Sequence, residues 1–176
     1  MMPIGPLMIE HRLIEKMIAR IQIEADNLSA GRNPDARFLA AAVDFIRTYA
    51  DRTHHGKEED ILFAVLAGKP LSPEDQRVMD ELTSEHVLAR RTVASLVEAE
   101  ARYLAGDQAA RATVTDALAT LAGLYPGHIR KEDKVFFPAA MNYFDRTEMD
   151  AMLTEMARFD QNMIHEKYRK VVEEWA

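Results

Sequence analysis

The sequence predicts an all-α protein: an antiparallel up-down four-helix bundle with an additional C-terminal helix. Three observations carry that expectation. Apolar residues recur at steps of three and four, not two, which favours helices over strands along the whole chain. The 7 Gly and 7 Pro among 176 residues cluster at a few places, where they punctuate long periodic segments. Finally, 48% apolar against 29% charged residues suffices to bury the core of one domain spanning 1–176, with the bundle at about 7–142 and the last helix at about 146–175.

The first segment carries the stripe Leu7, His11, Ile14, Ile18, Ile21, Ala25, Leu28. Gly31-Arg32-Asn33-Pro34 closes it and opens the next, with Asn33 as N-cap and Pro34 at the first helical position. The second stripe is Leu39, Val43, Ile46, Ala50, His54, Glu58, Ile61, Val65. After the Gly68 to Pro73 break, Ser72-Pro73-Glu74-Asp75 combines a capping hydroxyl, an N1 proline and first-turn acids. The third stripe, Met79, Leu82, His86, Ala89, Val93, Leu96, runs to Gly106-Asp107. Val114, Leu118, Leu121, Tyr125, His128, Glu132, Val135, Ala139 form the fourth, and Pro126 is expected to kink that helix just before His128. A capping box at Asp145-Arg146-Thr147-Glu148 opens the last helix, which is expected to lie across the bundle. That helix offers two faces, Met152, Met156, Phe159, Met163 and Leu153, Ala157, Ile164, Tyr168, Val171, Trp175.

Composition excludes several functions. With 22 basic and 29 acidic residues the net charge is −7, the wrong sign for a phosphate backbone or an anionic membrane. No cysteine is present, which removes disulfides, thiolate metal sites and Cys nucleophiles together. Met1 to Leu7 lacks a basic leader, and no stretch approaches about 18 uncharged apolar residues, so a soluble, cytoplasmic protein is expected. Glycine-rich phosphate loops and a GxSxG elbow are also absent, and Ser29, Ser72, Ser84 and Ser95 stand in no catalytic motif.

Each of the four stripes that build the bundle contains a histidine, or a histidine and a glutamate, on its core face, where polar groups are costly unless something satisfies them. The chain also repeats itself. Glu10-His11-Arg12-Leu13 returns as Glu85-His86-Val87-Leu88, and the run from His54 to Phe63 returns as His128 to Phe137. Each half is thus a lone His followed by HxxxE, whose two side chains share one helix face. Register supports a common site: antiparallel neighbours must turn at the sequence midpoint of their ligands, and those midpoints, about 33, 71 and 108, fall at the three breaks. At ~1.5 Å rise per residue this sets His11, His54, Glu58, His86, His128 and Glu132 level, about 15 residues from one bundle end and 22 from the other.

Four imidazoles and two carboxylates converging in an apolar core are satisfied economically by two cations. Nitrogen and oxygen donors without sulfur suit Fe, Mn or Zn, and Glu58 and Glu132, on diagonal helices, each offer two oxygens to bridge ions. The set is richer in nitrogen than the ferritin-like ExxH pattern, which favours reversible redox or small-molecule binding. Glu59 and Asp133 are either backing acids or solvated ones, and Lys57 and Lys131 are expected on the solvent face.

With these residues, and with Leu62-Phe63 and Phe136-Phe137-Pro138 following the HxxxE pairs, the chain resembles the hemerythrin-like HHE cation-binding domains from about Leu7 to Asn142. The resemblance implies a four-helix bundle around an oxo- or hydroxo-bridged non-haem centre of two Fe ions. It departs from the oxygen carriers of that family, which have HxxxH on the third helix, because the second position here is Arg90, whose guanidinium cannot ligate. The vacated position falls to His55, His165 or Glu166, or stays open to solvent; on spacing alone His55 and His165 read as surface or partly buried. The expected function is binding or sensing of O2 or a related molecule. The alternatives are an oxidoreductase acting on peroxide or nitric oxide, iron storage or handling, and a purely structural bundle.

Overall fold

Helix α1 (Ile4–Ser29) ends as Gly31 takes a φ of +83°, the left-handed conformation that glycine adopts without strain. The computed structural model describes the backbone of residues 2–174 and the side chains of 2–163. Helix α2 starts two residues later than the Asn33-Pro34 signal suggests. Its N-cap is Asp35, whose carboxylate accepts from the N–H groups of Arg37 and Phe38 at 3.0 and 3.2 Å, two donors that Asn33 lies too far upstream to reach. The helix is α-helical over Ala36–Phe45, then π-helical over Ile46–His55 and Glu58–Phe63, before a last α-turn at Ala64–Leu66.

Helix α3 (Pro73–Leu104) opens at Ser72, whose hydroxyl accepts from Asp75 N–H at 3.1 Å, and closes at Gly106 with φ +100°. Helix α4 runs as an α-helix over Ala110–Lys131, straight through Pro126, so its departure from α geometry falls after His128 instead of before it. It continues as a π-turn, Glu132–Phe136, an α-turn, Phe137–Ala140, and a 3-10 turn, Met141–Tyr143. Helix α5 (Arg146–Glu174) begins with a reciprocal cap: Asp145 N–H donates to Glu148 Oε2 and Glu148 N–H to Asp145 Oδ1, each at 2.9 Å.

α1 packs against α2 and α4, and α3 against the same two, which makes α2 and α4 the diagonal pair of an up-down bundle. No helix among the described residues is long and apolar enough to cross a membrane. The core is split in two. One half, built around Ile14, Ile21, Leu39, Leu96, Leu118 and Leu121, fills the longer arm; the other, around Leu7, Leu62, Leu66, Leu82, Phe136 and Phe137, fills the shorter. Between them lies a layer of buried polar side chains.

The π-turns alter which residues that core receives. Along α1 and α3 every residue of the expected stripe is buried. Along α2 and α4 the stripe holds through Ile61 and Glu132, with Val43 half-buried, and then slips by one: Val65 and Val135 are 36% and 52% exposed, while Leu66, Phe136 and Ala140 are buried. A π-turn spends one residue more than an α-turn, so everything beyond it is rephased by one position.

α5 packs on the π-helical part of α2. Its Met152 and Met156 are buried in the shorter core half, and Phe159 seats over Gly56, where an added Cβ would stand 2.7 Å from the ring. This is the first of the two expected faces; Leu153 of the second is half-buried and Ala157 exposed, and Ile164, Tyr168, Val171 and Trp175 lie outside the residues whose side chains are described. Glu148 also pairs with Lys69, which together with the Asp145 N–H holds its carboxyl below the usual range. A carboxyl depressed in the folded state adds stability above its unfolded value and loses it as the pH falls through the folded one. Protection of the Asp145–Met149 amides against exchange is therefore expected to fall below pH ~4.5 ahead of that of the bundle core.

Candidate metal centre

The polar layer lies where the three π-turns carry their ligand-type side chains. His54 and His55 close one π-turn, Glu58 opens the next, and Glu132 opens the third. With His11 on α1, His86 on α3 and His128 on α4, all seven side chains are buried, none more than 4% exposed. Their donor atoms form two groups. His11, His54, Glu58 and Glu132 make one and His55, Glu58, His86 and His128 the other, with the donor atoms of each group within 4.8 Å of one another. Glu58 belongs to both, its Oε1 lying 3.4 Å from His54 Nε2 and its Oε2 3.5 Å from His86 Nε2. Glu132 likewise divides its oxygens, Oε2 at 3.1 Å from His11 Nε2 and Oε1 at 3.1 Å from His128 Nε2.

His55 is thus as central as the other four imidazoles, contrary to its reading as a surface or partly buried residue. It is 1% exposed and stacks on His86 with ring centroids 3.9 Å apart. In an α-helix the side chain after His54 would point about 100° away; the wider π-turn lets both neighbours face inward. Arg90 stands outside, donating from Nε to Asp51 Oδ1 at 2.7 Å and from Nη2 to Glu59 Oε1 at 2.9 Å. The third helix therefore contributes one imidazole and the second helix two. The side chains of His165 and Glu166 lie outside those described.

A carboxylate backs every imidazole. The Nδ1 atoms of His11, His54, His55, His86 and His128 lie 2.7, 2.9, 3.3, 2.6 and 2.8 Å from Asp133, Glu10, Asp51, Glu59 and Glu85. An ionised carboxylate only accepts, so each Nδ1 carries a proton and each Nε2 is the atom turned to the centre. A cation braces each acid in turn: Arg12 on Asp133, Lys57 on Glu10, Arg90 on Asp51 and Glu59, and Lys131 on Glu85. The internal repeat extends outward in this way. Glu10 and Glu85 back the HxxxE histidine of their own half, while Glu59 and Asp133 back the lone histidine of the other. Sequence reasoning found Glu59 and Asp133 and missed Glu10, Asp51 and Glu85, although the echo of Glu10-His11 in Glu85-His86 carried the signal for two of them.

Lys57 corrects a second expectation. Instead of facing solvent it is wholly buried, paired with Glu10 and, at 2.7 Å, with Asp160 Oδ1 of α5. Its counterpart Lys131 remains 20% exposed and pairs with Glu81 and Glu85, both on α3.

The electrostatics of these groups call for positive charge at the centre. Burial drives His54 down to about 4 and His55 well below its usual value, leaving both neutral at pH 7. Burial and the charge of Glu132 push Glu58 well above the carboxylate range. Glu132 is held well below that range although burial opposes it, mainly by His128. His128 rises to about 9 against its own burial, through Glu132 and Glu85. Above all, most inward atoms lack partners: His11 Nε2, His54 Nε2, His55 Nε2 and all four oxygens of Glu58 and Glu132 are buried without a hydrogen bond, while His86 Nε2 and His128 Nε2 meet each other at 3.2 Å. The approaches of Glu132 to His11 and His128 do not have hydrogen-bond geometry. Orphaned polar atoms in a protein interior are rare and costly, and these all belong to one layer and suit a cation of borderline character.

Because the backing acids set imidazole orientation and basicity, Glu85→Ala is expected to weaken metal affinity about 10- to 100-fold. Competition against a chelator of known affinity measures it.

Comparison with curated proteins and with solved structures returns no significant match. Residues 2–140, most of the chain and all seven inward side chains, match the hemerythrin HHE cation-binding domain, and the chain belongs to that family.

Proposed function

We propose that the protein holds two iron ions and binds or senses O2 or a related small molecule such as peroxide or nitric oxide. The observation that carries this reading is the pair of donor groups sharing Glu58, in which three imidazole nitrogens and all four carboxylate oxygens are buried without a hydrogen-bond partner. His11 and His54 would hold one ion, His55, His86 and His128 the other, with Glu58 and Glu132 between them. Once bound, two irons supply redox-active positions for a small ligand; manganese and zinc accept the same donors.

The chain's own groups favour binding over turnover. Each backing acid, Glu10, Asp51, Glu59, Glu85 and Asp133, is committed to an imidazole and a cation, so none is left to move protons for a reacting ligand. What they do is fix the five imidazoles before any ion arrives, which limits the reorganisation that binding requires.

Metal analysis with an aerobic near-ultraviolet and visible spectrum tests the reading. About two ions per chain are expected, with the charge-transfer absorption that a ferric pair shows and zinc lacks. His55→Ala and His86→Ala are expected to lose equal amounts, because both sit in the same donor group. Full metal retention in His55→Ala removes His55 from the centre, and wild-type protein that takes up no metal overturns the reading.

A further inference from the structure

The repeat leaves one half of the centre short of an acid, and α5 supplies it. In the second half, Lys131 braces Glu85, the acid behind His128, and finds its other carboxylate in Glu81, one turn before Glu85 on α3. In the first half Lys57 braces Glu10, the acid behind His54, but the residue four before Glu10 is Pro6, which has no carboxylate. The second acid comes instead from Asp160 of α5, whose Oδ1 lies 2.7 Å from Lys57 Nζ. A continuous chain of polar contacts therefore runs from the centre to the last helix: His54 Nδ1 to Glu10 Oε2 at 2.9 Å, Glu10 Oε1 to Lys57, and Lys57 to Asp160. Beside Asp160, Phe159 rests on Gly56, inside the same run from His54 to Glu58. The position matching Gly56 in the other half is Arg130, which is exposed.

Lys57 is wholly buried between its two carboxylates, and loss of either leaves charge stranded away from water. Undocking of α5 thus loosens the brace on Glu10, and with it the hold on the Nδ1–H of His54, whose orientation the acid sets. We propose that α5 is coupled to the His11 and His54 side of the centre: docked, it fixes His54 to receive an ion, and occupancy of that side fixes α5 in return. The two effects are equal in free energy, because coupling between two binding equilibria is reciprocal. The other side is braced without α5, by Arg90 on Asp51 and Glu59 and by Lys131 on Glu85. This inference rests on the metal-binding reading above and names the element through which occupancy is passed on.

Amide hydrogen exchange of the full chain tests the coupling, with ferrous iron added in the absence of oxygen as the probe and chelator-treated protein as the reference. Iron is expected to raise the protection of α5 over residues 150–163 together with that of the bundle core. In Asp160→Asn, which keeps the size of a side chain 43% exposed, the gain in α5 is expected to vanish while the gain in the cores of α1 and α3 persists. Competition against a chelator is expected to show one of the two ions held about fivefold or more weakly in Asp160→Asn and in Phe159→Ala, the other as in wild type. Glu81→Ala, the repeat-related change, is expected to leave the α5 gain at its wild-type size. An α5 gain that survives in Asp160→Asn overturns the coupling while metal binding stands, as do a wild-type core that gains protection without α5 and iron affinities unchanged in both α5 variants. Equal weakening of both ions, or an α5 gain lost in Glu81→Ala as well, overturns the confinement to the His11 and His54 side. Wild-type protein that takes up no iron overturns both readings.

Discussion

Glu58→Ala is expected to leave purified protein with close to none of its about two metal ions per chain, whereas His11→Ala retains about half of them. Glu58 alone among the inward residues is counted in both donor groups, with one oxygen 3.4 Å from His54 Nε2 and the other 3.5 Å from His86 Nε2. Removing it would take a donor from each group, while removing His11 would touch one group. Metal analysis after growth with iron separates the two outcomes; equal loss in both variants would show that the ions bind only as a pair. Thermal melting supplies a second readout. A ligand that binds only the folded chain stabilises it by about 4 kcal/mol at a thousand times its dissociation constant, so the metal-induced rise in melting temperature is expected to vanish in Glu58→Ala. In chelator the variant is expected to differ little from wild type, because lost packing is offset by relief of a carboxyl that burial and Glu132 already disfavour.

Lys57→Met is expected to destabilise the protein by about 3–5 kcal/mol, since it strands a charged partner in a desolvated setting, and to lower the melting temperature by roughly 2–4 °C per kcal/mol. Lys57 is wholly buried and joins Glu10 of α1 to Asp160 of α5; Glu10 is itself bonded to His54. Its repeat-related counterpart Lys131 is partly exposed, and Lys131→Met is expected to cost about 1 kcal/mol or less. Two lysines at equivalent positions of the repeat thus differ several-fold because one is sealed against Asp160 of α5 and the other is partly exposed. Adding Glu10→Gln to Lys57→Met is expected to recover most of the loss, as the deficit is the stranded carboxylate and the two sites are coupled. Similar melting temperatures for Lys57→Met and Lys131→Met would refute the role given to α5.

Much of this architecture follows from periodicity and punctuation. The stripes of α1 and α3, the Ser72 cap, the Asp145 to Glu148 box and the levelling of His11, His54, His86 and His128 across four rods all depend on local rules: 3.6 residues per turn, capping chemistry and turn-forming residues. Those rules act over a few neighbours, so a linear reading captures them. The repeat of lone His and HxxxE made the meeting of these ligand-type side chains legible as well.

Where the reading failed, the cause was contact between distant segments. No propensity marks Ile46–His55, Glu58–Phe63 or Glu132–Phe136 as π-helical, yet these turns bring His55 inward, rotate Val65 and Val135 out to solvent and bury Leu66 and Phe136 in their place. A widened turn forgoes α-helical hydrogen-bond geometry at its own position, and each π-helical run here carries at least one of the buried donors that face the common centre. Lys57 was likewise undecidable from its neighbours, because its burial depends on Asp160, 103 residues away. The amino-acid order determined the rods, their turns, the level at which six ligand-type residues meet and the repeat that signals four of the acids behind them; the packing of one rod on another decided the seventh, its partner Asp51 and which lysine is sealed.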